Sequence, residues 1–128
     1  MISWKEKYAI GNKMIDEQHK VIFSICDKIM KLQQTEVLID KFDKITELIS
    51  ELREYTAFHF LQEEAYMKKI NYDGYEEQKA EHDKFIEKLL DVNLRDIDDN
   101  QDKYIEKLLV FVLDWLCNHI IKKDKLIN

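Results

Sequence analysis

Apolar residues recur at alternating steps of three and four along four long segments of this chain, which is the spacing of the buried face of an α-helix. The chain has no proline and only two glycines, Gly11 and Gly74, so few residues interrupt such helices. At 128 residues, it has the size of one ordinary domain. We therefore predict an all-α fold, with residues 1–128 in a single domain.

The spacing predicts four helices joined by short connections. The helices are predicted at residues 16–33, 40–69, 75–92 and 100–122, and the connections at 34–39, 70–74 and 93–99. Because connections this short make neighbouring helices antiparallel, we expect an up-down-up-down four-helix bundle over residues 15–128. Residues 1–14 are expected to form an N-terminal arm. Its apolar side chains should pack against the bundle as a lid: Trp4, Tyr8, Ile10 and Met14.

Each predicted helix carries one of the four histidines on its core-facing side. The core-facing positions, helix by helix, are Ile15, His19, Ile22, Cys26 and Ile29; Ile45, Ile49, Leu52, Thr56, His59, Glu63, Tyr66 and Ile70; Tyr75, Gln78, His82, Phe85, Leu89 and Val92; and Ile105, Leu108, Val112, Trp115 and His119. His19 and His82 lie early in their helices, whereas His59 and His119 lie late. These positions fall at one end of an up-down-up-down bundle, so the imidazoles should converge.

Two carboxylates accompany these histidines. His59 and Glu63 are four residues apart and therefore share a helix face. Asp124 is five residues after His119, a step that leaves the face by about 140°, so it can join only if the last turn bends or unwinds. Four imidazoles and two carboxylates exceed the ligand set of one tetrahedral zinc, which points to two metals. Imidazole and carboxylate without thiolate suit iron.

Ordinary structural roles compete with this interpretation. A single histidine on a core-facing position is more commonly a buried residue with one hydrogen bond, but four at one level with two carboxylates favour a metal site. Cys26 is expected to be buried packing. Glu17 and Glu64 flank the candidate ligands and are expected to face outward into solvent.

The composition excludes several function classes. Acidic residues outnumber basic ones, 26 to 20, and no basic cluster stands apart from neighbouring acids, so nucleic-acid binding is not expected. The most apolar run, residues 108–113, is far shorter than the roughly 20 residues of a membrane span. The N-terminus lacks the pattern of a secretory signal, so we expect a cytoplasmic protein. The mixed-charge surface favours a monomer.

Four motifs resemble the hemerythrin family, in particular its single-domain bacterial members, over nearly the whole chain. The first is Trp4, Tyr8 and Gly11 ahead of residues 15–20, IDEQHK. The second is residues 59–64, HFLQEE, followed by Met67. The third is Glu81 and His82 with Phe85, and the fourth is residues 115–120, WLCNHI, ending at Asp124.

The resemblance implies a non-haem di-iron centre that binds O2, with Fe2+ or Fe3+ ions and an oxo or hydroxo bridge. It implies that His19 and His59 ligate the iron that keeps an open position for O2. His82 and His119 would ligate the other iron. Glu63 and Asp124 would bridge the pair.

Gln78 departs from the family pattern, which has a histidine four residues before the one matching His82. Its core-facing position points it at the site. It could ligate iron through its amide oxygen, or hydrogen-bond a water in place of the missing imidazole. Glu81 could instead swing inward, or Gln78 could be an ordinary polar residue bonded to a backbone carbonyl.

The function predicted from the sequence is O2 carriage, storage or sensing, and we favour O2 binding over an enzymatic role. The main alternative is a di-iron oxidase or peroxidase, or an enzyme that reacts with nitric oxide, in which the Gln78 substitution opens the second iron. Such an enzyme would need a reductant that the sequence does not identify. An iron-buffering protein is a further alternative.

Overall fold

The computed structural model describes residues 4–34, 41–90 and 101–127, with the side chains of residues 41, 42, 90 and 101–104 excepted. Within these ranges the chain forms four α-helices and two short 3-10 turns. The helices are α1 (Lys13–Gln33), α2 (Lys41–Lys69), α3 (Tyr75–Leu90) and α4 (Gln101–Lys122). The 3-10 turns cover Glu6–Tyr8 and Asp124–Leu126. The predicted helices are therefore present, while residues 40, 91, 92 and 100 and the connections at 35–39 and 93–99 lie outside the described residues.

The helices form an antiparallel four-helix bundle, as predicted. Between α3 and α4, His82 contacts His119 and Phe85 stacks on Trp115, while Lys88, further along α3, lies over the ring of Phe111. Later residues of α3 thus contact earlier residues of α4, so these two helices are antiparallel. Helices α2 and α3 are antiparallel as well. Glu63 lies beside His82, while Arg53, earlier in α2, donates from its side chain to the carbonyl of Leu89, later in α3.

The arm packs against the bundle largely as expected. Trp4 and Tyr8 lie against the core, where the Tyr8 ring stacks on Phe23 at 5.3 Å, and Ile10 is buried. Met14 departs from the prediction, since it is 37% exposed. The reason is that α1 begins at Lys13, earlier than predicted, and the first helical turn points Met14 outward.

The core-facing side of α2 also departs from the prediction in its last turns. On the core-facing side beyond Glu63 the buried residue is Met67, whereas Tyr66 is half-buried and Ile70 is 39% exposed. Because a helix has 3.6 residues per turn, a step of four from Glu63 stays on the buried face where the predicted step of three leaves it. Tyr75, the first residue of α3, departs from the prediction as well, since it is half-buried outside the core with Lys68 Nζ over its ring. The remaining described core-facing positions are buried or packed against the core, and Cys26 is fully buried as expected.

No helix in the described ranges has a stretch both long and apolar enough to span a lipid bilayer.

Candidate metal centre

The seven candidate ligands come together at one end of the bundle, where early positions of α1 and α3 meet late positions of α2 and α4. All seven are buried, with exposed fractions between 0% and 5%. His59 and Glu63 are four residues apart on α2, and Gln78 and His82 are four apart on α3, so each pair lies on one helix face. The convergence predicted from helix depth is therefore present in the structure.

Asp124 reaches the centre because the chain leaves the α-helix just before it. Helix α4 ends at Lys122, Lys123 has φ −116° and ψ −53°, and Asp124 begins the terminal 3-10 turn. This is the change in the last turn that the five-residue step from His119 requires. Asp124 is consequently 1% exposed, and Ile127, at the end of the turn, is also buried.

The candidate ligands form two groups, each close enough to hold one cation. His19, His59 and Glu63 offer atoms within 4.8 Å of one another, as do Glu63, His82, His119 and Asp124. Each carboxylate reaches both groups. Glu63 places Oε2 3.3 Å from His59 Nε2 and Oε1 3.1 Å from His82 Nε2. Asp124 places Oδ2 3.3 Å from His19 Nε2 and Oδ1 3.2 Å from His119 Nε2.

Polar atoms without hydrogen-bond partners indicate that this cluster fits a pair of cations. They include both ring nitrogens of His19, Nε2 of His59, both oxygens of Glu63 and Oδ2 of Asp124. Buried atoms of this kind are costly unless something coordinates them. The donors are nitrogen and oxygen, with no thiolate, which is the set expected for iron rather than for a soft cation.

Three histidines contact a side-chain oxygen through Nδ1, two of them by a hydrogen bond. His59 Nδ1 lies 2.8 Å from Gln18 Oε1, His82 Nδ1 lies 2.8 Å from Glu64 Oε2, and His119 Nδ1 lies 3.1 Å from Glu81 Oε2. The expectation that Glu64 faces solvent is therefore wrong: it is 7% exposed. Glu64 turns toward α3 because its side chain leaves the helix about 100° from that of Glu63. Glu17 is exposed, as expected.

Gln78 lies within the cluster and uses only one end of its amide. Its Nε2 donates to Asp124 Oδ1 at 3.3 Å, and its Oε1 is buried without a hydrogen-bond partner. The structure thus has a bond to Asp124 in place of the backbone-carbonyl bond considered from the sequence. Glu81 contacts the outer nitrogen of His119 and does not turn inward.

Comparison with known proteins places the chain among relatives of the same length. Residues 10–128 match the family model described as "Hemerythrin HHE cation binding domain". The chain belongs to the hemerythrin family. The bacteriohemerythrin of Clostridium acetobutylicum is 42% identical over 125 residues, covering 98% of this chain and 97% of the relative. That of Methylococcus capsulatus is 36% identical over 115 residues, covering 87% and 81%.

A crystal structure of a wild-type hemerythrin superposes with a TM-score of 0.80 at 29% identity, covering 98% of this chain and 94% of that one. Hemerythrins bind O2 and hold a di-iron centre. The histidine and carboxylate cluster of this chain has the donors that such a centre needs. The family predicted from the four sequence motifs is therefore confirmed.

The electrostatics of this hemerythrin site favour an ionised Asp124 and a neutral His59. Burial lowers the pKa of His59, and the neighbouring Glu63 offsets only part of that effect. Burial alone would raise the pKa of Asp124, but the neighbouring imidazoles of His119 and His19 outweigh it and hold the pKa well below its usual range. Burial would lower the pKa of His82, but Glu63 and Glu64 raise it to about 9.

Aromatic rings cover the side of the cluster next to α3 and α4. Phe60 stacks on the His82 ring at 3.8 Å, and Trp115 stacks on the His119 ring at 4.4 Å. Beyond them a groove of about 540 Å³ runs between the two helices, and Glu81, Trp115 and His119 are among its lining residues. The outer nitrogen of His119 therefore lies near the surface, whereas His19 and His59 are fully buried.

Proposed function

We propose that this hemerythrin binds O2 reversibly at a pair of iron ions. The observation that carries the proposal is the position of Glu63 and Asp124: each has one oxygen beside each group of histidines. A carboxylate in that position can link two cations and offset their charge where no water is present to do so. The stacked rings of Phe60 and Trp115 limit the access of water to the same atoms.

In this proposal His19 and His59 hold one iron, His82 and His119 hold the other, and Glu63 and Asp124 bridge them. When bound, a ferrous pair supplies the electrons that make O2 binding possible. The protein's own part is to present each imidazole through Nε2 and to keep its ring fixed. The contacts at Nδ1 of His59, His82 and His119 serve that purpose.

Gln78 is proposed to complete the His82 side through its amide oxygen. Two features support this role: Oε1 is buried without a partner, and the bond from Nε2 to Asp124 fixes which end of the amide faces that carboxylate. An amide oxygen is a weaker donor than imidazole. We therefore expect the second iron to be more open to exogenous ligands than it is with the family's histidine.

That difference favours a second candidate function, an enzyme in which the pair reduces O2 or peroxide, or reacts with nitric oxide, at the expense of a reductant. The observation behind it is the replacement of an imidazole by the Gln78 amide. A carrier should form a coloured species that fades when O2 is removed. An enzyme should consume its substrate continuously when a reductant such as ascorbate is supplied. An iron buffer should release its metal readily to a chelator.

The first experiment is anaerobic loading with Fe2+, a count of iron per chain, and addition of O2 while the visible spectrum is followed. Two irons and a long-lived band that is reversed by removing O2 support a carrier. Two irons with a short-lived band support the enzyme. Fewer than two irons would contradict the proposed pair.

Gln78→His tests the role of the substituted residue. Because imidazole is the stronger donor, we expect the variant to hold its second iron more tightly and its coloured form to last longer. The measurements are iron retained against a chelator and the half-life of the band. Lys79→His is a matched control, since it adds an imidazole to the outer face of the same turn, where Lys79 is paired with Asp83. An equal half-life in wild type and Gln78→His would contradict the assigned role.

The oligomeric state and the cellular location stay predictions. We propose a monomer without a nucleic-acid partner, on the basis of the acidic, mixed-charge composition. Light scattering on the metal-loaded protein at micromolar concentration tests the monomer directly.

A further inference from the structure

The centre has an α1–α2 half, with His19 and His59, and an α3–α4 half, with His82 and His119. The two halves differ in the groups that contact Nδ1 of their histidines. In the α3–α4 half, both His82 and His119 contact a carboxylate through Nδ1, from Glu64 and Glu81 respectively. In the α1–α2 half, His59 contacts the neutral amide of Gln18, and His19 Nδ1 has no hydrogen-bond partner. The α3–α4 half therefore has two contacts at Nδ1, both from carboxylates, whereas the α1–α2 half has one, from a neutral amide.

These two glutamates are not ordinary surface charges. Glu64 is 7% exposed, and its Oε2 lies 2.8 Å from Nδ1 of His82. The Glu81 side chain is 35% exposed, and its other oxygen lies 4.0 Å from Lys123 Nζ. Glu77, one turn earlier on α3, pairs with the same lysine but is 64% exposed and contacts no histidine.

Charge balance agrees with a role at the metal centre. Glu63, Asp124, Glu64 and Glu81 all contact histidine ring nitrogens, and together they carry the charge that offsets two divalent cations. A carboxylate that accepts the Nδ1 proton of an imidazole also leaves Nε2 free and makes it a stronger donor. The half so strengthened is the half in which Gln78 replaces an imidazole.

We propose that Glu64 and Glu81 are positioning residues that strengthen His82 and His119 as donors and so compensate for the imidazole missing at Gln78. The proposal rests on the two-cation site of the proposed function, but not on its reaction with O2. The negative charge of the glutamates is the essential property, because an amide at either position would keep the hydrogen bond and lose the added donor strength.

Zn2+ tests this apart from O2 chemistry, because it is redox-inactive and leaves the protein diamagnetic. Competition with a chelator gives the two stepwise affinities of wild type, Glu64→Gln and Glu81→Gln. A long-range 1H–15N spectrum of the four histidines shows which Nε2 atoms are metal-bound. We expect each variant to lose tenfold to a hundredfold in affinity for the one ion that His82 and His119 hold, and not for the other ion. Glu77→Gln is the matched control and should bind as wild type does.

Alanine variants separate charge from orientation, since Gln keeps an acceptor oxygen and Ala does not. Glu64→Ala and Glu81→Ala should lose more affinity than the Gln variants, with circular dichroism showing that the helices persist. Gln variants that bind Zn2+ as tightly as wild type, or that weaken both sites equally, would overturn the proposal. Wild type holding fewer than two Zn2+ ions would overturn it as well. If wild type binds two Zn2+ ions but the ferrous protein gives no O2-dependent band, the proposed function is contradicted and the role of Glu64 and Glu81 is not.

Discussion

At the scale of single residues, burial decides which side chains can act. Gln78 is 1% exposed, and with one end of its amide on Asp124 it has only its oxygen left to offer. Glu64 and Glu63 are neighbours in sequence, yet one lies behind His82 and the other between the two histidine groups. Cys26 is equally buried but lies in the apolar core, where no polar partner favours its ionised form.

Cys26 should make the protein less stable in alkali. Burial, with a smaller effect of Cys117, raises the pKa of its thiol from 9.0 to about 12. The unfolded state therefore releases this proton at a lower pH than the folded state, and the free energy of unfolding should fall as the pH rises between those two values. Urea unfolding at several pH values measures the slope. Cys26→Ala should flatten it, and an unchanged slope would contradict the assignment.

At the scale of elements, the ends of helices place the site. Asn12 caps α1 by accepting a hydrogen bond from the Ile15 amide at 3.1 Å, and the Asp16 side chain accepts from the amides of Ile10 and Gly11. Gly11 has φ 93°, a conformation that favours glycine and that turns the arm back onto the bundle. At the other end of the chain, the 3-10 turn after α4 brings in Asp124.

The Asn12 cap should contribute measurably to stability. Asn12→Ala leaves the first amides of α1 without their acceptor, and we expect it to lower the free energy of unfolding by about 1 kcal/mol. Asn12→Asp keeps an acceptor and should lose much less. Urea unfolding of the three proteins measures both differences, and equal losses in the two variants would rule out capping as the cause.

The terminal turn should depend on Ile127. This side chain is 3% exposed, whereas its neighbour Leu126 is 64% exposed, so the two form a matched pair. Ile127→Ala should cost about 2 kcal/mol or more and weaken metal binding, because the turn that holds Asp124 loses its buried anchor. Leu126→Ala should change stability by less than about 0.5 kcal/mol. Chelator competition and urea unfolding test both variants, and equal effects would argue against the anchor.

At the scale of the whole molecule, the bundle surrounds a cluster of charges that its apolar core cannot neutralise. The described core runs through all four helices and reaches the cluster at Phe60, whose ring lies against His59 and His82. At its end, both oxygens of Glu63, one oxygen of Asp124 and ring nitrogens of His19 and His59 lack hydrogen-bond partners. The folded state is therefore expected to depend on a bound cation more than a bundle with an apolar interior would.

Metal loading should stabilise the fold. A cation present at a hundredfold excess over its dissociation constant adds about 2.7 kcal/mol per site, which should raise Tm by roughly 10 °C or more for two sites in a chain of this size. Calorimetry with Fe2+ under anaerobic conditions, and again after a chelator, measures the difference. Mg2+ is the control, because it prefers oxygen ligands and should give little shift. Equal Tm values with and without Fe2+ would contradict the site.

The sequence by itself determined the four helices, the bundle and the level at which the histidines meet. Apolar spacing and the lack of proline depend only on local geometry, and short connections leave few ways to arrange the helices. His19, His59, His82 and His119 could be placed because each lies on the buried face of its own helix.

Only the tertiary structure decided the roles of the residues beside that face. Glu64 and Glu81 meet histidines of neighbouring helices, and Gln78 meets Asp124 across two elements, so each contact depends on how the helices are rotated about their axes. The spacing of residues along one helix carries no information about that rotation. Asp124 required the chain to leave the helix after Lys122, which packing of the terminal turn determined.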